Sequence, residues 1–502
     1  MEDFLNFKTA YAKTLNKISF NSTINIPIEN NTNIKKILDV SSYLFDTKIE
    51  CGNEKAIISG KLGVKVVYLD NENSAGTLSS SQNFSETFQD KSITNETYIN
   101  ILNNHIVNTI LSSDEILKIS CEVNINPISY INLSLNNNIQ SNEFLITKKN
   151  FIVTNNISSH VKTNFNYTTT FETKEKISKI LSCYNFFTPQ KNIVENGYVS
   201  VEGILKTILL VEVLNEDLIT LKELQSMKNI KCDIEINSLN KESLVDLTYS
   251  VDKSFDEIST EIENETNIIT IKNKIDVQGV VLEKTSVEII NDIFSTQNHV
   301  ETTISKREYT KNTNQFSINE SILNEISLIN EETAIDDIIA NLNISPEITN
   351  SYVKNGNLFL EGLITSNLTY VDENKEIKQK DLEVPFIINT KIETDGVDCL
   401  NSNISIIDSK IKVKRGTIIE IEYITYITLS IYEKESCEFL DTYSLGKSLD
   451  VSKYDFQIFI AKPNETIWDL CKRTKISPSE IHKFNNELPE ILKGGEKIII
   501  KR

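Results

Sequence analysis

The stretch that decides the fold occurs three times, as IISGKLGVKVVYLD (57–70), SVEGILKTILLV (200–211) and FLEGLITSNLTYVD (359–372). In each copy, apolar residues alternate with mostly polar ones around a glycine, which is Gly60, Gly203 or Gly362. A period of two predicts a strand with one face on a core and the other facing water. A glycine inside such a run predicts a β-bulge or the close approach of another backbone segment.

The spacing of the three copies indicates a repeat of whole domains. The glycines lie 143 and 159 residues apart, which is too long for a solenoid unit and fits tandem globular domains. Each copy follows a short apolar segment that reads as helix-like: KILDV (36–40), KILS (179–182) or DIIA (337–340). Each copy ends in a cluster of Asp, Asn and Glu, so each predicts the first half of a hairpin.

The fold class predicted from these observations is mainly β, with three tandem β-sandwich-like repeat domains followed by a small βααβ domain. The predicted boundaries are 21–135, 145–290 and 309–435 for the repeats, 436–454 for a linker and 455–502 for the last domain. Residues 98–111 are compatible with a helix, and 330–339 predict a short helix with acidic residues at its N-terminus.

Residues 1–20 predict an N-terminal amphipathic helix. Their large apolar residues recur at helical spacing: Phe4, Phe7, Tyr11, Leu15 and Ile18. Such a helix would either dock a partner or cap the first β domain.

Composition narrows the classes of partner and compartment. A net charge of −20 disfavours nucleic acid and anionic membranes as partners. The seven cysteines form no CxxC pair and their number is odd, which predicts a reducing compartment without a disulfide framework. No apolar run is long enough to cross a bilayer, and no leader peptide is visible, so we expect a cytoplasmic protein that is not transmembrane.

The sequence offers no signature of catalysis or of a cofactor. The four histidines are far from one another and from every cysteine, so no metal site is predicted. Gly446-Lys447-Ser448 is similar to the end of a phosphate-binding loop, but Asp441 occupies the position of its first glycine. No nucleophile elbow or HExxH motif is present. We therefore expect a protein that is not an enzyme and uses no cofactor.

The last fifty residues differ from the repeats. FQIFI (456–460) predicts a short strand, and PNET (463–466) opens a helix. A second helix begins at SPSE (477–480), where serine is the N-cap, proline the first helical residue and glutamate the third. KIII (497–500) predicts a closing strand, so the order is strand, helix, helix, strand.

This C-terminal segment resembles a LysM domain, in the strand and KPNETIW (462–468), in Ile481 and Asn485, and in LKGGEKI (492–498). The resemblance implies binding of N-acetylglucosamine-containing polymers in a groove between two loops. Asn464 and Glu465 stand where the family usually has Gly-Asp. Carried onto this sequence, the binding residues are Pro463, Asn464, Glu465, Thr466, Ile467, Asn485, Asn486, Glu487 and Leu488.

The repeats resemble the SPOCS domain of spore-forming Firmicutes. The similarity lies in the apolar lead, the glycine strand and a later strand that is clearest in the third copy as LEVPF (382–386). Tandem SPOCS-type domains followed by LysM are the order found in the SipL-like family of spore coat morphogenetic proteins of Clostridia. That resemblance implies a sporulation scaffold of the mother cell, recruited to the forespore surface.

The implied partners of such a scaffold are the coat basement-layer ATPase SpoIVA, bound mainly through the LysM domain, and other spore coat proteins. Exposed strand edges are also compatible with a homo-oligomer. The alternative function is a peptidoglycan-binding or N-acetylglucosamine-binding protein of the spore cortex or wall. The lack of a visible export signal favours protein–protein interaction over glycan binding.

Overall fold

The computed structural model describes residues 5–28, 34–95, 97–112, 116–137, 144–215, 218–253, 257–263, 266–328, 333–394, 399–449, 456–485 and 488–501. Most of these residues lie in strands, and the described residues contain two short helices. The predicted mainly-β class is therefore confirmed.

The first repeat contains seven strands. They are β1 (Leu5–Thr14), β2 (Ile18–Pro27), β3 (Ile34–Gly52), β4 (Lys55–Asp70), β5 (Ala75–Gln89), β6 (Tyr98–Ser112) and β7 (Ile116–Asn137). β3, β4 and β5 form an antiparallel meander with the glycine strand β4 in the middle. β7 is the middle strand of a second sheet, with β1 and β2 on successive parts of one edge and β6 on the other.

The second and third repeats follow the same plan. The second contains β8 (Leu145–Thr173), β9 (Ile177–Glu195), β10 (Tyr198–Asn215), β11 (Leu218–Glu235), β12 (Leu244–Val251), β13 (Glu257–Glu263) and β14 (Thr266–Ser295). The third contains β15 (Asn298–Ser327), β16 (Ile335–Lys354), β17 (Asn357–Asp372), β18 (Ile377–Glu393), β19 (Cys399–Arg415) and β20 (Ile418–Ser448). The glycine strands β10 and β17 are again central in their meanders, and the long β14 and β20 are central in the second sheets.

Each repeat buries its own apolar core between its two sheets. In the first repeat this core joins Ile58, Leu62 and Val64 of β4 to Leu117 and Ile119 of β7. Corresponding clusters lie inside the second and third repeats. The chain ends in β21 (Gln457–Ile460), α1 (Ile467–Thr474), α2 (Pro478–Phe484) and β22 (Lys497–Ile500), and β21 pairs with β22.

The predicted glycine contact is present in all three repeats. A methyl group added at Gly60 would lie 3.0 Å from the carbonyl oxygen of Phe45. At Gly203 it would lie 2.6 Å from the carbonyl oxygen of Thr188, and at Gly362 it would lie 2.2 Å from the carbonyl oxygen of Glu347. Each carbonyl belongs to the first strand of the meander, next to an irregularity in its pairing with the glycine strand. A side chain at these positions would push the two strands apart.

Several predicted helices and one linker are wrong. The helix predicted over 1–20 is replaced, in its described part, by β1 and the start of β2, because pairing with the long β7 satisfies the backbone along the whole segment. The segment 98–111 lies in β6, 36–40 in β3 and 179–182 in β9, and the described part of 330–339 lies in β16 from Ile335 onward. Pairing shifts in these strands break the alternation of two and give helix-like spacing.

The linker predicted over 436–454 belongs, up to Ser448, to β20, which pairs with β15 back to Asn298. Residues 450–455 lie outside the described residues. The third repeat is therefore longer at both ends than its predicted span of 309–435, and β1 extends the first repeat before its predicted start at residue 21.

The three repeats pack against one another around a common apolar cluster. Val67 and Leu69 of β4, Ile208 and Leu210 of β10, and Leu342 of β16 all belong to it. A second shared cluster joins Tyr130, Leu282 and Tyr432, one from the last strand of each repeat. Contacts therefore connect the first repeat to the second, the second to the third and the third to the first.

Buried polar groups reinforce these junctions. Asp246 of the second repeat is 4% exposed and accepts hydrogen bonds from Tyr130 (2.8 Å) and Tyr432 on either side. Lys206 of the second repeat is also buried, and its ammonium lies 2.7 Å from Asp408 of the third. Because a charge inside a protein needs partners, each of these contacts fixes the relative position of two repeats.

Asp39 of the first repeat forms a pH-sensitive contact with the second repeat. Its buried carboxylate accepts a hydrogen bond from Tyr184 of the second repeat. Desolvation raises the pKa of Asp39 from 3.8 to about 6, although the Tyr184 hydrogen bond and the charge of Lys253 act in the opposite direction.

We expect Gly362→Ala to lower the free energy of unfolding by about 3 kcal/mol, because the new methyl group would collide with a carbonyl oxygen and with the Phe386 ring. Gly446→Ala is the matched control, since the nearest atom to its added methyl group is 3.4 Å away. Denaturant unfolding of both variants measures the difference. Equal stability of the two would show that the glycine does not serve the close approach.

Asp39 predicts a specific pH dependence. A folded-state pKa raised from 3.8 to about 6 means that the folded chain binds the proton more tightly. The contribution of Asp39 to stability is therefore complete below about pH 4 and is lost as the pH rises to about 6, a fall of roughly 3 kcal/mol. Subtracting the unfolding free energy of Asp39→Asn from that of the wild type at each pH should isolate this fall. A difference that stays flat between pH 4 and pH 6 would contradict the desolvation of this carboxyl in the folded chain.

Candidate functional site

The C-terminal module, defined as residues 456–485 and 488–501, is built around two capped helices. Thr466 caps α1 by accepting a hydrogen bond from the Asp469 backbone amide (3.1 Å), and the Asp469 carboxylate accepts one back from the Thr466 amide (3.2 Å). Ser477 caps α2, and Pro478 is its first residue. Leu470, Ile481 and Ile498 lie in the core of the module.

The predicted binding loop is largely committed to holding the module together. Asn464 has a φ of 60°, a left-handed conformation that asparagine tolerates and glycine adopts freely. Glu465 is buried and accepts hydrogen bonds from the Arg473 guanidinium at 2.7 and 2.9 Å. These bonds lower the pKa of Glu465. Pro463 and Asn464 are the residues of this loop whose side chains are exposed.

The other predicted site residues are also used internally. Ile467 is buried in the core of the module, and Leu488 packs partly against it. Asn485 donates to the Ile499 carbonyl (2.6 Å) and accepts from its amide (2.8 Å), so it fastens the end of α2 to β22. Asn486 and Glu487 lie outside the described residues. The loop 464–467 contacts residues 490–492 through backbone hydrogen bonds and not through Asn485.

Helix α1 docks the module on the second repeat. The Trp468 indole N–H donates to Asp292 at 2.7 Å, and the Lys472 ammonium lies 2.9 Å from the same carboxylate. The Trp468 ring meets the buried Phe294 edge-on, with 5.1 Å between centroids. Trp468 is the sole tryptophan of the chain, so this contact occupies the one indole that could serve as a binding platform.

The two-stranded sheet of the module leaves an apolar surface uncovered. We define this apolar sheet face by the four exposed residues Phe456, Ile458, Ile460 and Ile499. Ile458 pairs with Ile499 in the sheet, while Phe459, Ile498 and Ile500 point to the core side. The sequence analysis did not predict this surface. The run FQIFI indicates it, because a strand that is apolar in both phases has two faces to bury.

The surroundings of this face are basic. Lys501 lies over the Phe456 ring at 5.5 Å from its centroid, and Lys483 lies 5.9 Å from that of Phe484. Residues 456–502 hold nine Lys and Arg against six Asp and Glu, which makes this segment net +3 in a chain of net charge −20. The module thus presents an apolar surface with a positive rim.

Neither a metal centre nor a spanning helix is found in the part of the chain that the structure describes. Within these residues no three His, Cys, Asp or Glu side chains come together as metal ligands. None of the described helices is both long and apolar enough to cross a membrane. His160 stacks on Tyr98, and burial lowers the pKa of its imidazole.

Comparison with protein families, with curated proteins and with solved structures finds no match to the chain.

The docking of α1 predicts a spectroscopic response. Asp292→Ala should move the fluorescence emission of Trp468 to longer wavelength and increase its quenching by acrylamide, because the indole loses the hydrogen-bond partner that holds it against the second repeat. Asp336→Ala, which breaks the Lys375–Asp336 pair on β16, is the control and should leave the emission unchanged. An unchanged spectrum in Asp292→Ala would contradict the docked position of the module.

Proposed function

We propose that the protein is a non-enzymatic scaffold of the SipL-like type, with tandem SPOCS-type β-sandwich repeats followed by a LysM module. Its module binds the spore morphogenetic ATPase SpoIVA, and the repeats couple this partner to spore coat assembly around the forespore, on the mother-cell side. The observation that carries the proposal is the apolar sheet face with its basic rim.

The composition of this face suits protein binding. Interfaces between proteins place aliphatic and aromatic side chains at the centre and charged groups at the rim. Phe456 and Ile458, at 60% and 65% exposure, are large apolar side chains that water solvates poorly. The positive rim favours a partner with an acidic surface, since complementary charge steers association.

Glycan binding is the competing function, and the loop geometry supports it less. A sugar groove needs aromatic platforms and accessible polar groups. Here Trp468 is docked on the second repeat, and Glu465, Ile467 and Asn485 are buried within the module. Pro463 and Asn464 remain as exposed groups of the resembling loop.

Ile458→Glu in the full chain should weaken binding to SpoIVA by about tenfold or more, because a charge would replace a central apolar contact. Ile387→Glu is the matched control: Ile387 is 67% exposed, but it lies on β18 of the third repeat. Titration of purified SpoIVA into each variant measures both affinities, and Ile387→Glu should bind as the wild type does.

The glycan alternative is tested with the same proteins. Co-sedimentation of the full chain with insoluble peptidoglycan should show no binding above background. The wall-binding proposal would replace the scaffold proposal if the full chain sediments strongly with peptidoglycan, if Ile458→Glu sediments equally well, and if no affinity for SpoIVA can be measured.

A further inference from the structure

A large cavity lies where the three repeats meet. Its volume is about 1010 Å³, at the upper end of the range of small-molecule sites. Every repeat contributes two strands to the cavity wall, its first meander strand and one strand of its second sheet. These are β3 and β6 in the first repeat, β9 and β12 in the second, and β16 and β19 in the third. The cavity therefore exists only when all three repeats are packed together.

The wall of this cavity is positively charged, although the chain as a whole is acidic. It contains five lysines and three aspartates, against a net charge of −20 for the chain. The aspartates are already matched, since Asp46 lies 3.1 Å from Lys61, and Lys274 lies 3.0 Å from Asp252 and 3.6 Å from Asp276. Lys48 and Lys162 are exposed and belong to none of the salt bridges found among the described residues, although the charge of Lys162 acts on Asp276.

Aromatic rings form much of the remaining wall. Tyr43 and Phe45 come from β3, Phe84 from β5, Phe186 from β9 and Tyr249 from β12. The Lys61 ammonium lies 5.4 Å from the centroid of the Phe45 ring, so cationic and aromatic groups are adjacent in the wall. Asn83, Asn164 and Asn403 add amide groups that can donate and accept hydrogen bonds.

We infer that this cavity binds a small organic anion that carries a planar ring. The rings of the wall stack on the planar part, while Lys48 and Lys162 meet the carboxylate or phosphate. An anion without a ring, or a neutral ring compound, would leave one of these two features unused. Because these lysines and rings come from the first and second repeats, ligand binding stabilises the packing of those two repeats.

The test uses the full chain and two matched pairs of probes. Adenosine monophosphate and 1-naphthoate are ring-bearing anions, and adenosine and 1-naphthalenemethanol are their neutral counterparts. At equal concentration, each anion should raise the melting temperature and bind with an affinity that calorimetry can measure. Each neutral probe should bind at least about tenfold more weakly than its anion. Inorganic phosphate alone should give no shift.

The variant Lys48→Gln/Lys162→Gln should bind both anions about tenfold more weakly, with an unchanged melting temperature of the free protein. Lys354→Gln/Lys447→Gln removes two exposed lysines outside the cavity and should bind as the wild type does. The inference is overturned if neither anion binds, if the neutral probes bind equally well, or if the cavity variant keeps full affinity.

Discussion

The packing of the repeats depends on strands that bury apolar side chains on both faces. In β4, Leu62, Val64 and Val66 fill the core of the first repeat, while Val67 and Leu69 face the other repeats. In β10, Ile208 and Leu210 belong to the shared cluster, and Leu209 and Val211 to a cluster inside the second repeat. The glycine strands of the first two repeats thus join their own sandwiches to the neighbouring repeats, and in the third repeat the adjacent strand β16 makes this contact through Ala340 and Leu342. The close approach at each glycine lets the glycine strand lie tightly against the first meander strand.

The same pattern appears once more without a covering element. In the module, Ile498 is buried and Phe459 packs partly against the core, but Ile458 and Ile499 on the opposite face are exposed. The chain therefore uses two-faced strands in two ways: inside the repeats the second face is covered by another part of the molecule, and in the module it is available to something else. This contrast underlies the assignment of the module as the part that binds a partner.

The strands of the repeats could be predicted because their alternation is local and regular, as around Gly362. The helices predicted at Lys36–Val40 and over 1–20 failed for two physical reasons. Pairing shifts in β3 give its apolar residues helix-like spacing, and pairing with the long β7 holds β1 as a strand despite its apolar spacing. The element order of the module was readable from Ser477 and Pro478. The roles of Glu465 and Asn485 were not, because Arg473 and Ile499 reach them only in the folded module.

Equivalent positions around the junction hold different side chains. Asp39, Ser182 and Ala340 each pair with the residue seven places after the repeat glycine, namely Val67, Leu210 and Thr369. A trimer of identical subunits would have to place the same group at all three positions, and three buried carboxylates could not be accommodated together. A single polypeptide escapes that restriction. The junction of its three repeats can be acidic at one interface and apolar at another. The order and the relative orientation of the repeats are therefore fixed both by the covalent chain and by the different side chains at each interface.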